Sequence, residues 1–107
     1  MDFRLEQDAD LRFRLSGEVD MDTARQMIQQ LEPAVQVGRD VWVDVSGLTF
    51  LDSAGVHALI DLGYLCGNGG RIIIEGPTGQ VEKLFRLIGA DTFPNLVIRW
   101  DRSPAER

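Results

Sequence analysis

The chain has 107 residues, 44% of them hydrophobic, so we expect a single domain with its own core over residues 1–107. Its formal net charge is −6, from 17 acidic and 11 basic residues, which argues against a nucleic-acid-binding face. One cysteine and one histidine exclude an internal disulfide and cannot build a zinc site of the usual type, so no metal is expected.

The N-terminal residues carry too many charges for a secretory signal, and no window approaches the roughly 18 apolar residues of a membrane span. We therefore expect a cytoplasmic protein with no direct membrane insertion. The single cysteine, Cys66, lies near the end of an apolar segment, where packing is a simpler role than reactivity.

The first fifteen residues predict an antiparallel hairpin with one solvated face. Apolar residues alternate with polar ones at Phe3, Leu5, Leu11, Phe13 and Leu15. The segment Gln7–Asp10 lies between the two runs and is the expected turn. The arginines at positions 4, 12 and 14 fall on the polar side of the alternation, which favours a solvated face over a partner-binding stripe.

A first helix is predicted after Gly17-Glu18-Val19-Asp20. Its inner face has the helical spacing of Ala24, Met27, Ile28 and Leu31, and either Asp20 or Asp22 can cap its N-terminus. Pro33 lacks an N–H group and crowds the preceding turn, so it should end or kink this helix.

The central stretch, residues 41–67, predicts a strand followed by a helix. Val41, Val43 and Val45 alternate with polar or aromatic residues, Ser46-Gly47 is expected to end the strand, and residues 48–51 form a short apolar connection. Residues 52–55 then open a helix whose inner face is expected to carry Val56, Leu59, Ile60 and Gly63. An Asp or Ser at such a start can accept hydrogen bonds from the free N–H groups of the first turn.

The last third of the chain predicts two more strands and one helix. Residues 67–70 form a glycine-rich stop, residues 71–75 a buried strand, and residues 76–78 a turn in which Thr78 can cap the third helix. The inner face of that helix is expected to contain Val81, Leu84, Phe85 and Ile88, and Gly89 ends it. A loop at residues 92–95 leads to a strand at residues 96–100, and Ser103–Glu106 has the pattern of a helix start.

The predicted element order is ββαβαβαβ, an α/β fold whose core strands are parallel and joined by right-handed crossovers. All strand-to-helix turns of a parallel sheet lie at the carboxyl ends of the strands. Asp20, Ser53 and Thr78 are therefore expected at the same end of the molecule, which is where α/β domains usually meet ligands and partners.

Four blocks of the sequence resemble the STAS domains of anti-sigma factor antagonists. They are Gly17–Asp20, Asp44–Gly55 with its Asp-Ser-Ala-Gly, Gly69–Pro77, and Leu87–Ala90. The resemblance implies a mixed sheet with parallel core strands, an antiparallel N-terminal strand and helices packed mainly on the sheet. Family members usually end in a full helix, whereas this sequence stops at Arg107, just after the pattern of a helix start. The C-terminal helix is therefore expected to be short or missing. Its absence would bare apolar surface or a sheet edge and favour a partner or a homodimer.

The same resemblance implies a regulatory function without catalysis. An unphosphorylated antagonist binds an anti-sigma factor serine kinase and so frees the sigma factor; phosphorylation of Ser53 would switch that binding off, and a metal-dependent serine phosphatase would restore it. Asp20, Asp52, Ala54, Gly55 and His57 are expected to line the partner surface. No cofactor is implied, because ATP belongs to the kinase.

The residues themselves leave other interpretations open. Serine is a preferred capping residue, so Ser53 can be a plain helix cap instead of a phosphorylation site. His57 is one turn after Ser53 and is either an unremarkable exposed residue, a partner contact or a cationic neighbour of phosphoserine. A Ser–His hydrolase is rejected, since residues 51–55 do not form a Gly-x-Ser-x-Gly elbow. The alternative function is a permanent STAS subunit of a membrane-associated transport ATPase of the lipid-transport type.

Overall fold

The computed structural model describes residues 2–101. The predicted order of strands and helices is confirmed, with two short 3₁₀ turns added. The strands and helices are β1 (Phe3–Ala9), β2 (Arg12–Val19), α1 (Met21–Leu31), β3 (Val41–Leu51), α2 (Ser53–Leu65), β4 (Ile72–Glu75), α3 (Gly79–Ile88) and β5 (Leu96–Arg99). The 3₁₀ turns follow α1 at Glu32–Ala34, where Pro33 ends the helix as predicted, and α3 at Ala90–Thr92.

The strands form one sheet in the order β1-β2-β3-β4-β5, in which β1 is antiparallel to β2 and all other neighbours are parallel. Because successive strands always add on the same side, right-handed crossovers place α1, α2 and α3 on one face of the sheet. A single hydrophobic core joins the inner residues of all three helices to that face, which carries Val41, Val43 and Val45. The fold class predicted from the sequence is confirmed.

The hairpin turn is shorter than the sequence predicted. Gln7 and Ala9 belong to β1, where they pair with Phe13 and Arg12, and only Asp10 and Leu11 form the turn. Leu11 adopts a left-handed backbone with φ of 58°, an uncommon conformation for a leucine. The prediction of a turn over Gln7–Asp10 was wrong. Polar residues do not by themselves indicate irregular structure, because they can continue an edge strand whose side chains face water.

Ser46-Gly47 does not end β3, which was the second error in the predicted elements. The strand continues to Leu51 and absorbs two extra residues as bulges against β2: Arg14 pairs with Asp44 but Ser16 with Gly47, and Gly17 pairs with Leu48 but Glu18 with Phe50. On its other side, β3 pairs with β4 only from Val41 to Asp44 within the described residues. The second half of β3 therefore extends beyond β4 and leads directly into α2.

On β1 and β2, the face of the sheet opposite the helices is polar, as predicted for the arginine positions. Arg4, Arg12 and Arg14 are all exposed. The guanidinium of Arg12 lies 4.5 Å from the centre of the Trp42 ring, and Arg14 forms an ion pair with Asp8 at 2.7 Å. These contacts hold the arginines on a solvated surface of this domain.

The residues Ser103–Glu106, predicted to resemble a helix start, and with them the question of a short or missing C-terminal helix, lie outside the described residues. Within residues 2–101 no helix has the length and apolar character needed to cross a membrane. The same part of the chain contains no group of three or more histidine, cysteine or acidic side chains placed to hold a metal ion.

Candidate functional site

Two helices begin side by side where β2 and β3 end. Val19 pairs with Leu51, and the backbone N–H of Asp52 donates to the carbonyl of Val19 at 2.9 Å. Asp20 and Asp52 therefore come directly after the ends of two neighbouring strands, and they lie at the N-termini of α1 and α2. The sequence-based expectation that Asp20 and Ser53 share one end of the molecule is confirmed by this pairing.

Asp20 caps α1 through a reciprocal set of hydrogen bonds with Thr23. Its carboxylate accepts the Thr23 backbone N–H and the Thr23 hydroxyl, both at 2.9 Å, while its own N–H donates to the Thr23 hydroxyl oxygen at 2.9 Å. The Thr23 backbone and then its hydroxyl lower the pKa of Asp20 below the ordinary carboxyl value. The carboxylate is thus held ionised and fixed beside the start of α2.

Replacing the cap should destabilise the domain in a pH-dependent way. We expect Asp20→Ala to lower Tm by about 5 °C at pH 7, since a lost N-cap leaves helix N–H groups unsatisfied. Because the folded-state pKa is the lower one, this stabilisation is fully present above the unfolded pKa and disappears as pH falls through the folded value. Thermal unfolding followed by circular dichroism between pH 2 and pH 7 measures both effects.

Asp22 provides the matched control for this variant, because it is exposed in the same first turn and does not occupy the N-cap. Asp22→Ala should change Tm much less than Asp20→Ala. Asp20→Asn keeps an acceptor oxygen and should retain most of the stability while losing the pH dependence. Equal losses for the two alanine variants would contradict the cap described here.

At α2 the cap is Asp52, and the interpretation of Ser53 as the cap residue is wrong. One carboxylate oxygen of Asp52 accepts the N–H of Ala54 at 2.9 Å, and the Asp52 carbonyl accepts the N–H of Gly55 at 2.9 Å. Ser53 is the first residue of the helix and is exposed. Its hydroxyl makes one long contact, 3.4 Å, to the Asp52 carboxylate. Ser53 therefore presents a hydroxyl to solvent at the positive end of α2.

Gly55 does not line this surface, contrary to the sequence-based expectation of a partner contact. It is buried, and a Cβ atom added to it would lie 2.5 Å from Cδ1 of Leu51 and 3.3 Å from Cγ1 of Val19. The glycine lets α2 lie close against the ends of β2 and β3. Its role in the fold is helix-to-sheet packing, directly beneath the exposed Ser53.

We expect Gly55→Ala to reduce the free energy of unfolding by about 1–2 kcal/mol, because overpacking of the buried Leu51 outweighs the better helix propensity of alanine. Urea unfolding measures the loss. In a Leu51→Val background, where the crowding group is smaller, the same substitution should cost measurably less. An undiminished cost in that background would show that the crowding lies elsewhere.

The remaining predicted contact residues lie around the start of α2. His57 is exposed one turn after Ser53, and Ala54 is half-buried. Residues three or four apart on a helix are neighbours, so His57 shares the outward face of Ser53. This arrangement leaves its three interpretations from the sequence open: unremarkable, partner contact, or cationic neighbour of a phosphate.

Sequence reasoning missed Met21, which follows Asp20 as the first residue of α1. Met21 is 71% exposed at the first residue of α1, the helix that begins beside α2. Met21 lies three residues before Ala24 and seven before Ile28, so its spacing matches that of the inner face and the sequence carries no signal of its exposure. Acidic residues surround it in the sequence, at Glu18, Asp20 and Asp22. The surface thus combines one exposed apolar side chain with several carboxylates.

Gln80, near the start of α3, was also missed. Its side-chain amide accepts the backbone N–H of Leu51 at 3.0 Å and donates to the Leu51 carbonyl at 2.8 Å. Thr78 occupies the N-cap position of α3, but its side chain makes no capping hydrogen bond, so its expected cap is wrong. Thr78 follows β4, whose last residue pairs with Asp44 of β3, several residues before Leu51. The third strand-to-helix turn therefore contacts the end of β3 through the side chain of Gln80.

A five-stranded mixed sheet with three helices on one face, and an exposed serine at the start of the second helix, define an α/β domain of the STAS class. Residues 4–98 match the family model described as Mlab, STAS domain. The chain therefore belongs to the STAS domain family, as the sequence resemblance predicted. Among curated proteins, none matches the chain.

Two similar solved structures share this fold. The anti-sigma factor antagonist SpoIIAA in its unphosphorylated form has 22% sequence identity and a TM-score of 0.72, over 98% of this chain and 91% of that one. The Bacillus cell fate determinant SpoIIAA in the phosphorylated form has 20% identity and a TM-score of 0.62, over 98% of this chain and 95% of that one. At these identities the likeness establishes the fold.

Proposed function

We propose that this chain is an anti-sigma factor antagonist, without catalytic activity of its own, that is switched by phosphorylation of Ser53. The observation that carries the proposal is the exposed Ser53 hydroxyl at the first residue of α2, beside the capping carboxylate of Asp52. In the unphosphorylated form the chain binds an anti-sigma factor serine kinase and releases the sigma factor. A metal-dependent serine phosphatase reverses the modification, and all these partners are cytoplasmic.

The physical chemistry of this position suits a switch that leaves the fold intact. Phosphorylation adds about −1.5 to −2 charges. A helix N-terminus favours anions through its free N–H groups and its macrodipole, so the domain itself tolerates that charge. A partner that docks over Ser53 must instead strip water from the phosphate or bring its own acidic groups close to it. Both effects oppose binding, and the carboxylates of Asp20 and Asp52 add to the repulsion.

The surface around Ser53 also indicates what the partner offers. Glu18, Asp20, Asp22 and Asp52 make this end of the molecule acidic, so a basic partner surface complements it. Met21 is an exposed apolar group between Asp20 and Asp22 in the sequence and fits a small apolar pocket on the partner. His57 adds a contact from the outward face of α2. The affinity should accordingly decrease with ionic strength.

The test is phosphopeptide mapping of the protein isolated from its own host, with the co-purifying proteins identified in the same sample. We expect phosphate confined to Ser53 and a kinase-type anti-sigma factor associated only with the unmodified fraction. The proposal would be overturned if Ser53 is never found phosphorylated and an unrelated partner co-purifies at constant stoichiometry. Ser53→Ala is the control, since it removes the acceptor while keeping the Asp52 cap.

A second candidate is a permanent STAS subunit of a membrane-associated transport ATPase. It is favoured by the matching family model, whose description names Mlab and no antagonist. In that role the start of α2 would be a fixed interface, and Ser53→Glu would leave a stoichiometric complex with an ATPase intact. The same purification, carried out with the Ser53→Glu variant, separates the two functions.

A further inference from the structure

The last residue of β3 lacks the neighbouring strand that the first half of β3 has. Within residues 2–101, β4 pairs with β3 from Val41 to Asp44 and stops there, whereas β3 continues to Leu51. The N–H and C=O groups of Leu51 point away from β2, because β2 instead bonds the N–H of the next residue, Asp52. Backbone groups in this position need partners from outside the sheet.

Gln80 supplies both partners from α3. Its side-chain oxygen accepts the Leu51 N–H at 3.0 Å, and its side-chain nitrogen donates to the Leu51 carbonyl at 2.8 Å. One planar amide thus makes the two hydrogen bonds that a residue of an adjacent strand would make. Gln80 lies 29 positions from Leu51 in the chain, so this contact links α3 to the end of β3.

The segment that precedes Ser53 is consequently held from two sides. On one side, the Asp52 N–H is bound by the Val19 carbonyl of β2 at 2.9 Å. On the other side, both polar backbone groups of Leu51 are bound by Gln80. These bonds fix the direction in which Asp52 leaves the sheet, and Asp52 in turn caps α2 through the N–H of Ala54.

We propose that Gln80 is a positioning residue for the acceptor serine: it replaces the missing strand neighbour of Leu51 and so holds the Leu51–Asp52 turn that presents the Ser53 hydroxyl. The importance of this position rests on the proposed function, but the contact itself can be tested without a kinase. Loss of the amide should free Leu51 and let the start of α2 move relative to β2.

The first test is hydrogen exchange of the Leu51 amide, measured by NMR on the full chain. We expect Gln80→Ala to accelerate this exchange at least about tenfold, while the amide of Val43 in the centre of β3 keeps its protection. Gln29→Ala is the matched control, because Gln29 is an exposed glutamine of α1. Unchanged exchange of Leu51 in Gln80→Ala would overturn the proposal, whether or not Ser53 is phosphorylated.

A second variant distinguishes positioning from a general loosening of α3. In Gln80→Glu, the side chain still accepts the Leu51 N–H, but it can donate to the Leu51 carbonyl only when protonated. The amide shifts of Leu51 and Ser53 should therefore show a titration that the wild-type chain lacks. The other acidic groups of this region, Asp20, Asp52 and Glu82, are present in both proteins, so the comparison of the two proteins isolates the effect of the residue at position 80. Absence of the additional titration would contradict the role of the amide nitrogen.

A kinase readout connects the contact to the switch. With the kinase identified by co-purification, we expect Gln80→Ala to lower kcat/KM for Ser53 phosphorylation about tenfold, mainly through kcat, because the acceptor is less well oriented. If Leu51 exchange increases but even the wild-type chain is not phosphorylated, the proposed function fails and the positioning contact stands. If exchange increases and phosphorylation is as fast as in the wild type, positioning by Gln80 is disproved.

Discussion

A chain carrying phosphoserine at position 53 is expected, under the proposed function, to bind an anti-sigma factor kinase at least about a thousandfold more weakly than the unmodified chain. The acceptor is exposed at the first residue of α2 and lies 3.4 Å from the Asp52 carboxylate. A docked partner would bury a charge of about −1.5 to −2 beside existing carboxylates. Burying a charge without a counter-ion costs several kcal/mol, and a loss of about 4 kcal/mol corresponds to this factor.

The charge, rather than the size of the added group, should cause this loss. Ser53→Glu adds one negative charge and should weaken binding by a smaller factor than phosphoserine, whereas Ser53→Gln has almost the same size without the charge and should have a much smaller effect. Isothermal titration calorimetry with the co-purified partner measures all three proteins. If glutamine weakens binding as much as glutamate does, steric exclusion is the cause and the electrostatic account is wrong.

Phosphorylation should at the same time leave the fold of this domain unchanged. The N-terminus of α2 is capped by Asp52 and not by Ser53, so the modified residue is not needed to satisfy the helix. Circular dichroism and the dispersion of amide shifts should therefore be nearly identical in the two forms, apart from residues 51–57. Such a result would show that phosphorylation changes the surface that the domain offers to a partner and not the conformation of the domain.

The inward faces of the helices could be predicted from the sequence because they depend on local spacing. Ala24, Met27, Val56, Leu59 and Phe85 are all buried as their periodicity indicates. Likewise, an Asp at a helix start implies a cap, and both Asp20 and Asp52 provide one. Each of these features is decided within a few residues of chain, where propensity and hydrogen-bond geometry act together.

The features that the sequence could not reveal depend on distant partners. Ser46-Gly47 resembles a strand end, but pairing with β2 carries β3 past it through two bulges. Gly55 resembles a residue of an open surface, yet the closeness of Leu51 and Val19 decides its role. The bond from Gln80 to Leu51 joins positions 29 residues apart, and no local pattern indicates it.

The largest effect on stability is expected for Phe85→Ala in α3. Phe85 is 0% exposed and heads the largest fully buried side chains of the core. Deleting a buried phenylalanine side chain typically costs about 3–5 kcal/mol, a large part of the roughly 5–15 kcal/mol that stabilises a domain. Urea unfolding followed by far-UV circular dichroism should show a much lower midpoint with an unchanged slope.

Leu87 is the matched control, since it lies on the same helix two residues further on and is 84% exposed. Leu87→Ala should change the free energy of unfolding by no more than about 0.5 kcal/mol. Equal effects of the two substitutions would mean that α3 does not pack through Phe85. Because α3 also carries Gln80, weakening its packing should loosen the Leu51 amide as well, so the core beneath α3 and the exposed serine at the start of α2 are expected to respond together.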